Sequence, residues 1–477
     1  MPKEQFLEIQ TELLQTITTE QAWHYNIVPK STNGDSLEFY IDKKRNIQTV
    51  KDELEIILAK SIILHPIDTE ILNQTLGKYY IRSERKKQSL SFDWSRTDNF
   101  LEYIIAEANS INCSDIHIEI YEERCRIRMR IDGKLVERYT IEKTEYPALI
   151  NKIKIKANLD IAEKRLPQDG RIYFNLGDDT FDIRVSVLPT LYGEKIVLRL
   201  LSKDATDIEI EKLGFSNQQL HNYLEAAKKS YGIILISGPT GSGKTTTLYA
   251  TLKILNKENT NILTIEDPIE YTLEGINQVQ LKEKIGLTFA QALKTFLRQD
   301  PDIIMLGEIR DTETANMAIR AALTGHLVLS TVHTNTAWGT VSRLVDMGVP
   351  PFLLASTLNL TVSQRLVRLL CPDCKQEEDF NDNLLPENFK KPRNFKKHFK
   401  AVGCSKCFYT GYKGRKAVYE VIPIDSDIEK HIKNTDFNIN QLLLEKGITR
   451  IWDSAFELLE NGSTTIEEIY PILMHQD

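Results

Sequence analysis

The sequence predicts a multidomain α/β protein built around a parallel sheet with helices on both faces. Four short apolar runs in the C-terminal half are separated by helical segments: IILIS, ILTI, DIIML and LVLST. Continuous apolar strands with helical crossovers are typical of such a sheet. A chain of 477 residues is too long for one core and indicates about three domains.

Composition is that of an ordinary globular protein, with 41% hydrophobic and 27% charged residues. The net charge of −7 gives no general reason to expect nucleic acid as the main ligand. The N-terminus lacks the basic start and apolar stretch of a signal peptide, and no apolar run has the length of a membrane span. We therefore expect a cytoplasmic protein whose thiols stay reduced.

The N-terminal half divides by pattern into four segments. Apolar residues at helical spacing predict an amphipathic helix over 1–20, and mixed strand and helix patterns predict a small α/β module over 21–82. The polar run over 83–97 is typical of a linker. Two strand pairs, a helix between them and one further strand predict a second N-terminal domain over 98–202.

The C-terminal half begins with a connector over 203–230. It leads to the core of the predicted parallel sheet at 231–370. A cysteine module at 371–407 follows, and the pattern over 408–477 is helical.

A glycine-rich loop, GPTGSGKT at 238–245, follows the strand IILIS and opens a helix. This context is the one in which such a loop binds nucleotide phosphates, because its backbone N–H groups face the phosphate oxygens. We expect Lys244 to reach the β- and γ-phosphates and Thr245 to bind Mg²⁺. A glycine turn that matches by accident is the alternative, and the flanking strand and helix make it rare.

Carboxylates also follow two of the predicted strands: Glu266, Asp267 and Glu270 after ILTI, and Glu308 after DIIML. The carboxyl ends of parallel strands meet at one edge, beside the phosphate loop. A carboxylate there can hold Mg²⁺ with its water shell or orient an attacking water. Acidic residues after strands are also common helix caps, so each residue alone leaves both roles open.

Two histidines flank the fourth strand, His326 at its start and His333 at its end. An isolated histidine is more often structural than functional, and the residues by themselves leave both possibilities open.

Two Cys-x-x-Cys pairs, CPDC at 371–374 and CSKC at 404–407, stand 29 residues apart. Each turn can direct two thiolates at one ion, and two turns complete a tetrahedral structural zinc site. The interval exceeds the usual zinc-ribbon loop. Two further cysteines, Cys113 and Cys125, lie in predicted strands and are interpreted as core residues.

The motifs in their order resemble the secretion ATPases of type II secretion and type IV pilus assembly, the GspE/PilB family. The resemblance rests on GPTGSGKTTTLYA, LTIEDPIEY, LRQDPDIIMLGEIRDTETA and TGHLVLSTVHTN. Upstream, the similarity to that family's second N-terminal domain rests on SDIHIE, RIDG, RLPQDGRI and GEKIVLRLL. Residues 21–82 resemble a shortened first N-terminal domain, which binds partners, and the whole resemblance covers most of 21–477.

The resemblance implies a RecA-like P-loop ATPase domain that needs ATP, Mg²⁺ and Zn²⁺. It implies a homohexamer at the cytoplasmic face of the bacterial inner membrane, which powers a pilus or pseudopilus in secretion, pilus biogenesis or DNA uptake. Implied partners are an inner-membrane platform protein and an adaptor bound through the first N-terminal domain. The motifs do not distinguish among these machines.

The resemblance also assigns roles by motif. The nucleotide-binding loop comprises Gly238, Pro239, Thr240, Gly241, Ser242, Gly243, Lys244, Thr245 and Thr246. Catalytic roles are implied for Glu266, Glu270, Glu308 and His333, nucleotide contacts for Asp267 and His326, and Mg²⁺ contacts for Thr245 and Glu308. Extension-type members carry a zinc module that PilT-type retraction ATPases lack, and it matches Cys371, Cys374, Cys404 and Cys407. One departure is Thr336, where the family pattern has Asp.

Three arginines in the second N-terminal domain are further candidates: Arg165, Arg171 and Arg184. The family analogy brings this domain against the nucleotide, where a guanidinium would neutralise charge developing on the γ-phosphate. Surface salt bridges are the alternative interpretation.

A basic segment, FKKPRNFKKHFK at 389–400, lies between the cysteine pairs. Its charged and aromatic residues are Lys390, Lys391, Arg393, Lys396, Lys397, Lys400, Phe389, Phe395 and Phe399. It is either a solvated loop or a contact with an anionic membrane surface or the platform protein. Single-stranded nucleic acid is a further possibility for this segment, although nucleic acid is not an expected partner.

Two other functions fit part of the pattern. A ring-shaped DNA translocase would share the nucleotide core, but the acidic charge and the secretion-type motifs argue against it. A scaffold that binds nucleotide without hydrolysis is disfavoured because every polar position needed for hydrolysis is filled.

Overall fold

A computed structural model of the chain describes most of its residues. They are 7, 9, 13–33, 36–58, 60–80, 90–91, 100–176, 179–201, 209–381, 384–386, 389, 391, 396–436 and 438–474. The linker predicted over 83–97 lies outside them except for 90–91. Of the helix predicted over 1–20, only 7, 9 and 13–20 are described, and Leu13–Gln15 form a 3-10 helix.

Two compact units are present. The first comprises residues 1–88, 375–402 and 465–477, and the second comprises 89–374 and 403–464.

The N-terminal part of the first unit is a three-stranded sheet with three helices. Its elements are α1 (Thr19–Tyr25), β1 (Ile27–Asn33), β2 (Ser36–Asp42), α2 (Ile47–Leu58), β3 (Ser61–Ile67) and α3 (Thr69–Tyr79). Strand β2 is central, antiparallel to β1 and parallel to β3. Its alternating sequence buries Leu37, Phe39 and Ile41 against the helices, as period-two strands do.

The second N-terminal domain forms a seven-stranded sheet with two helices. Its elements are β4 (Leu90–Ser91), α4 (Phe100–Ser110), β5 (Cys113–Ile120), β6 (Cys125–Ile131), β7 (Lys134–Ile141), α5 (Tyr146–Lys156), β8 (Gln168–Leu176), β9 (Asp179–Thr190) and β10 (Gly193–Leu201). The strand order is β4-β7-β6-β5-β10-β9-β8. Alternate residues of β5 and β6, such as Ile116, Ile118 and Ile127, pack in one core with α4 and α5.

The next part of the chain alternates strands and helices. Together with β19, whose range is given in the next paragraph, it forms the parallel-sheet domain. Its elements are α6 (Asn217–Ala227), β11 (Gly232–Ser237), α7 (Lys244–Leu255), β12 (Ile262–Glu266), β13 (Asn277–Gln280), α8 (Phe289–Phe296), β14 (Ile303–Leu306), α9 (Thr312–Leu323), β15 (Leu327–Val332), α10 (Gly339–Asp346), α11 (Pro351–Thr357) and β16 (Leu358–Leu370).

The C-terminal part is a short hairpin, one long strand and four helices. Its elements are β17 (Gln376–Asp379), β18 (Lys397–Lys400), β19 (Tyr412–Pro423), α12 (Ser426–Lys433), α13 (Asn440–Glu445), α14 (Ile451–Glu460) and α15 (Ile466–Leu473). The hairpin and α15 belong to the first unit. Across the described residues, no helix has both the length and the apolar character that a bilayer crossing requires.

The strand order in the parallel-sheet domain is β13-β12-β14-β15-β11-β16-β19. All described neighbours are parallel except β16 and β19. Ile233 and Leu235 of β11 pack into one core, whereas Ile234 and Ile236 pack into another, so both faces of the sheet are covered. The predicted α/β fold class is confirmed, and so is a helical C-terminus, formed by α12 to α15. The helical pattern predicted over 408–477 missed β19, which pairs with β16 at the end of this sheet.

Candidate functional site

The phosphate loop, residues 238–246, joins β11 to α7 and lies close against β16. A Cβ atom on Gly238 would stand 2.5 Å from the Gln364 carbonyl oxygen, and one on Gly243 would stand 2.8 Å from Gln364 Nε2. Both glycines also have positive φ, 150° and 88°. Only glycine fits these two positions, because any side chain would clash and be strained.

Lys244 is the first residue of α7 and is bonded within the phosphate loop. Its Nζ donates to the carbonyl oxygens of Gly238 at 2.8 Å and Pro239 at 3.0 Å. Burial lowers the pKa of Lys244, and the charge of Glu308 partly offsets this effect. Residues 239–241 at the tip of the loop and Thr245 are exposed, so an anion can reach the N–H groups at the start of α7.

A polar cluster stands at the carboxyl edge of the sheet, where β12, β14 and β15 end. Glu308 accepts a hydrogen bond from Arg310 Nε at 2.5 Å, and His333 Nε2 lies 3.0 Å from its other oxygen. Arg310 also donates to Asp267 Oδ2 at 3.3 Å. The structure therefore brings together Asp267, Glu308 and His333, three residues expected from the sequence. It adds Arg310, two positions after Glu308, which the sequence analysis did not single out.

Glu266 and Glu270 have different surroundings. Glu266 is 3% exposed, and its oxygens accept hydrogen bonds from Tyr249, from Thr264 at 2.7 Å and from Gln278 at 3.0 Å. Both of its oxygens are thus occupied by neutral donors. Glu270 is partly exposed and available to the second N-terminal domain.

The three candidate arginines are placed differently. Arg184 on β9 pairs with Glu270 at 3.3 Å and donates to the Ile269 carbonyl, with 19% of its side chain exposed. Arg171 on β8 is half-exposed and 3.7 Å from Asp182. Arg165 is 88% exposed and pairs with Glu163 at 3.1 Å. Arg184 is thus the one that contacts the carboxylates of the parallel-sheet domain.

A cavity of about 600 Å³ opens beside this contact. Its lining includes Arg171, Arg184 and Arg199 from the second N-terminal domain and Pro268 and Gln280 from the parallel-sheet domain. Sequence reasoning missed Arg199, which also pairs with Asp115 at 3.0 Å. The lining thus holds three guanidiniums and one carboxylate, that of Asp169, and an anion that enters would compete with the carboxylates now paired to the arginines.

His326 is not brought to this edge. It precedes β15, and its Nδ1 lies 2.8 Å from the Ala321 carbonyl oxygen at the end of α9. Because β15 and β11 are parallel, His326 lies at the amino edge of the sheet and His333 at the carboxyl edge. The nucleotide contact expected for His326 is not favoured by this placement.

The four cysteines predicted to bind metal come together, with all Sγ atoms within 4.8 Å of one another. The Cys371–Cys404, Cys374–Cys407 and Cys404–Cys407 separations are 3.9, 3.8 and 3.8 Å. Four sulfurs around a tetrahedral zinc ion, with Zn–S near 2.3 Å, would stand about 3.8 Å apart, whereas a disulfide needs about 2.0 Å. This cysteine cluster therefore fits zinc. Cys113 and Cys125 are buried in the core of the second N-terminal domain.

The basic segment is more neutral than its sequence indicates. Within the described residues, Lys397 pairs with Glu377 at 2.7 Å and Lys400 with Glu378 at 2.6 Å, across the β17–β18 hairpin. Phe389 is 8% exposed, so it is not available to a membrane. Three further members, Lys390, Arg393 and Phe395, lie outside the described residues.

Known proteins resemble this chain over most of its length. The family model of the type II/IV secretion system protein matches residues 93–471. The type IV pilus assembly ATPase PilB of Myxococcus xanthus is 40% identical, over 97% of this chain and 87% of its own length. The type II secretion system ATPase E of Vibrio cholerae is 45% identical, over 77% of this chain and 73% of its own.

Solved structures share the fold. The pilus retraction motor PilT with bound ADP has a TM-score of 0.52 at 27% identity, covering 77% of this chain and 95% of its own. The ATPase DotB of Legionella pneumophila has a TM-score of 0.60 at 23% identity, covering 81% of this chain and 97% of its own. The extent of the family match and the identity to its curated relatives show that this chain belongs to the type II/IV secretion system protein family.

Proposed function

We propose that this chain is a Mg²⁺-dependent ATPase that powers assembly of a type IV pilus or of a type II secretion pseudopilus. The observation that carries the proposal is the position of Lys244, at the head of α7 and at the carboxyl edge of the sheet where β14 and β15 lead to Glu308 and His333. The names of the curated relatives, which are ATPases of pilus assembly and of secretion, support the same conclusion.

In this proposal, each residue of the site has its own role in ATP hydrolysis. Lys244 exchanges its two carbonyl acceptors for β- and γ-phosphate oxygens, and Thr245 offers its hydroxyl to the magnesium ion. The ion, when bound, neutralises charge on the same oxygens. Glu308, held by Arg310 and His333, orients the attacking water toward the γ-phosphorus and accepts its proton.

The second N-terminal domain supplies positive charge to this reaction. Arg184 leaves Glu270 for the γ-phosphate as charge develops there, and Arg171 follows from the same cavity wall. Glu270, once released, is a second carboxylate, besides Glu308, that can contact the water. Arg165 is the weakest of the three candidates, because its side chain is exposed and paired with Glu163.

The working assembly is a homohexamer at the cytoplasmic face of the bacterial inner membrane. Residues 21–82 bind an adaptor, 98–202 present the arginines, 231–370 hydrolyse ATP, and a platform protein in the membrane receives the motion. The cysteine cluster holds one structural zinc ion per chain, and its four thiolates leave no open position for catalysis.

Phosphate release by the purified chain tests the proposal. We expect turnover to need both ATP and Mg²⁺, Lys244→Ala to lose nucleotide binding, and Glu308→Gln to keep nucleotide but stop turnover. Lys257→Ala, an exposed position just after α7, is the matched control and should behave as wild type. Unchanged phosphate release in both site variants would sink the assignment, and metal analysis should find about one zinc per chain.

A further inference from the structure

The cysteine loop, residues 404–411, joins the cysteine cluster to the start of β19 and also touches the second N-terminal domain. Phe408 from this loop is partly buried and packs against the core formed by β5, β6 and α4. The guanidinium of Arg138 on β7 lies over its ring, 4.8 Å from the centroid. A loop that belongs to a metal site thus places an aromatic side chain in another domain.

Arg138, the partner of Phe408 in the second N-terminal domain, is itself held in place by hydrogen bonds. Arg138 donates to the carboxylate of Glu107 on α4, which also accepts from Tyr139. The charge of Arg138 is therefore neutralised within its own domain, and its planar face is left to stack on Phe408.

A second contact lies a few residues along β19. The Gly414 N–H donates to Asp132 Oδ2 at 2.7 Å, in the turn between β6 and β7. Arg415 Nε lies 3.9 Å from the other oxygen of Asp132. The amide of Gly414 is therefore a direct reporter of whether the two domains are in contact.

The conformation that presents Phe408 is a strained one. Phe408 and the next residue, Tyr409, both have left-handed backbones, with φ of 52° and 60°. Side chains other than glycine rarely adopt this region, and surrounding interactions must hold them there. These are hydrogen bonds around Cys407: its Sγ accepts from the N–H groups of Cys404 at 3.1 Å and Gly411 at 3.3 Å.

We propose that the cysteine loop fastens the second N-terminal domain to the parallel-sheet domain, with Phe408 as the residue that carries the contact. A metal ion on the four thiolates fixes Cys407 and with it the left-handed turn. Loss of the ion releases the turn and withdraws Phe408 from Arg138. The second N-terminal domain also carries Arg184. The same contact therefore sets the position from which Arg184 faces Glu270. The metal-linked step rests on the proposed zinc site.

Hydrogen exchange at the Gly414 amide, in the full chain and resolved to single residues, tests this inference. We expect Phe408→Ala to retain zinc yet exchange Gly414 about tenfold faster, because a packed aromatic contact is lost. Wild-type protein treated with a zinc chelator should show the same increase. Lys406→Ala, which removes the exposed ion pair between this loop and Asp373, should change neither zinc content nor exchange.

Arg138→Met provides a second variant that leaves the cysteine loop intact, in case Phe408→Ala loses zinc or fails to fold. It should raise Gly414 exchange several-fold with full zinc content. Wild-type Gly414 protection in Phe408→Ala or Arg138→Met would overturn the fastening. Unchanged protection after chelation would overturn its dependence on metal. Purified protein without zinc would contradict the zinc site instead, while the two variants would still test the contact itself.

Discussion

The second N-terminal domain meets the parallel-sheet domain through two contacts of different chemistry. At one, Arg184 holds Glu270 and the Ile269 carbonyl beside a cavity of about 600 Å³. At the other, Phe408 lies between Arg138 and the core of the second N-terminal domain. The first is a partly buried ion pair beside a cavity, and the second is an aromatic contact whose cation is already neutralised.

The difference indicates which contact can change during a reaction cycle. A phosphate group would compete with Glu270 for Arg184, because both are anions that one guanidinium can bind. Nothing of that kind competes for Phe408, since its packing against the core is non-directional and carries no net charge. We therefore expect the ionic contact to exchange partners and the aromatic contact to persist.

Removal of the ionic contact should have the largest effect on turnover. Arg184→Ala should lower the rate of ATP hydrolysis about a thousandfold, the low end of what a charge-neutralising arginine contributes to phosphoryl transfer. Nucleotide affinity should change little, because Lys244 and the phosphate loop remain. Steady-state phosphate release and equilibrium nucleotide binding measure the two effects. Arg124→Ala, an exposed arginine 3.8 Å from Glu137 in the same domain, is the control and should match wild type.

The sheet that carries both contacts depends on a buried carboxylate, Glu119 on β5. Burial acts to raise the pKa of Glu119, but hydrogen bonds from Arg128, Lys195 and Arg126 outweigh it and lower the pKa to about 2. Glu119→Gln should therefore cost about 3 kcal/mol of opening free energy at pH 7, measured by hydrogen exchange in β5. A loss below about 1 kcal/mol would show that these cations do not hold the sheet together.

The same carboxylate sets a pH dependence with a definite sign. The folded pKa of Glu119 is depressed, so its stabilising contribution is complete above the unfolded value near 4.5 and disappears as the pH falls toward 2. The difference between wild type and Glu119→Gln should accordingly shrink over that interval. A difference that stays constant from pH 7 to pH 3 would contradict the assignment.

The sequence predicted which residues would lie together where the site is local or lies at a strand end. The phosphate loop is one continuous turn, and Glu308 and His333 each follow a predicted strand, so sheet geometry alone brings them together. Arg310 and Arg199 were missed because the sequence does not reveal which side chains a charged residue in a motif or a strand will contact. The sequence already placed His326 and His333 at opposite ends of one strand, and a nucleotide contact of His326 was expected only from the family resemblance.

The basic segment and the cysteine loop are two further cases in which the sequence does not show the contacts of a side chain. The sequence displays the charges of Lys397 and Lys400 but not the antiparallel register that pairs them with Glu377 and Glu378. It also displays four metal-ligand cysteines but not the contact of Phe408 with Arg138, residues far apart in the chain. Long-range contacts between side chains need the fold before they can be recognised.

Loss of the aromatic contact should have a smaller effect on turnover than loss of the ionic one. Phe408→Ala should lower the rate of hydrolysis about fivefold with an unchanged KM, because the variant misplaces Arg184 without removing it. Steady-state kinetics of Phe408→Ala and of Lys406→Ala, the control in the same loop, measure this. A loss as large as that of Arg184→Ala would show that the two contacts cannot be separated.

The smallest predicted effect decides whether the second contact needs the planar face of a guanidinium. Arg138→Lys keeps a positive charge near Glu107 but loses the planar face that stacks on Phe408. A stacked cation contributes about 0.5–1 kcal/mol at a partly exposed site, so Gly414 exchange should rise about threefold. Equal protection in Arg138→Lys and wild type would mean that charge alone suffices. The contact would then depend on a positive charge over the Phe408 ring, a cation–π interaction that an ammonium also makes, and not on planar stacking.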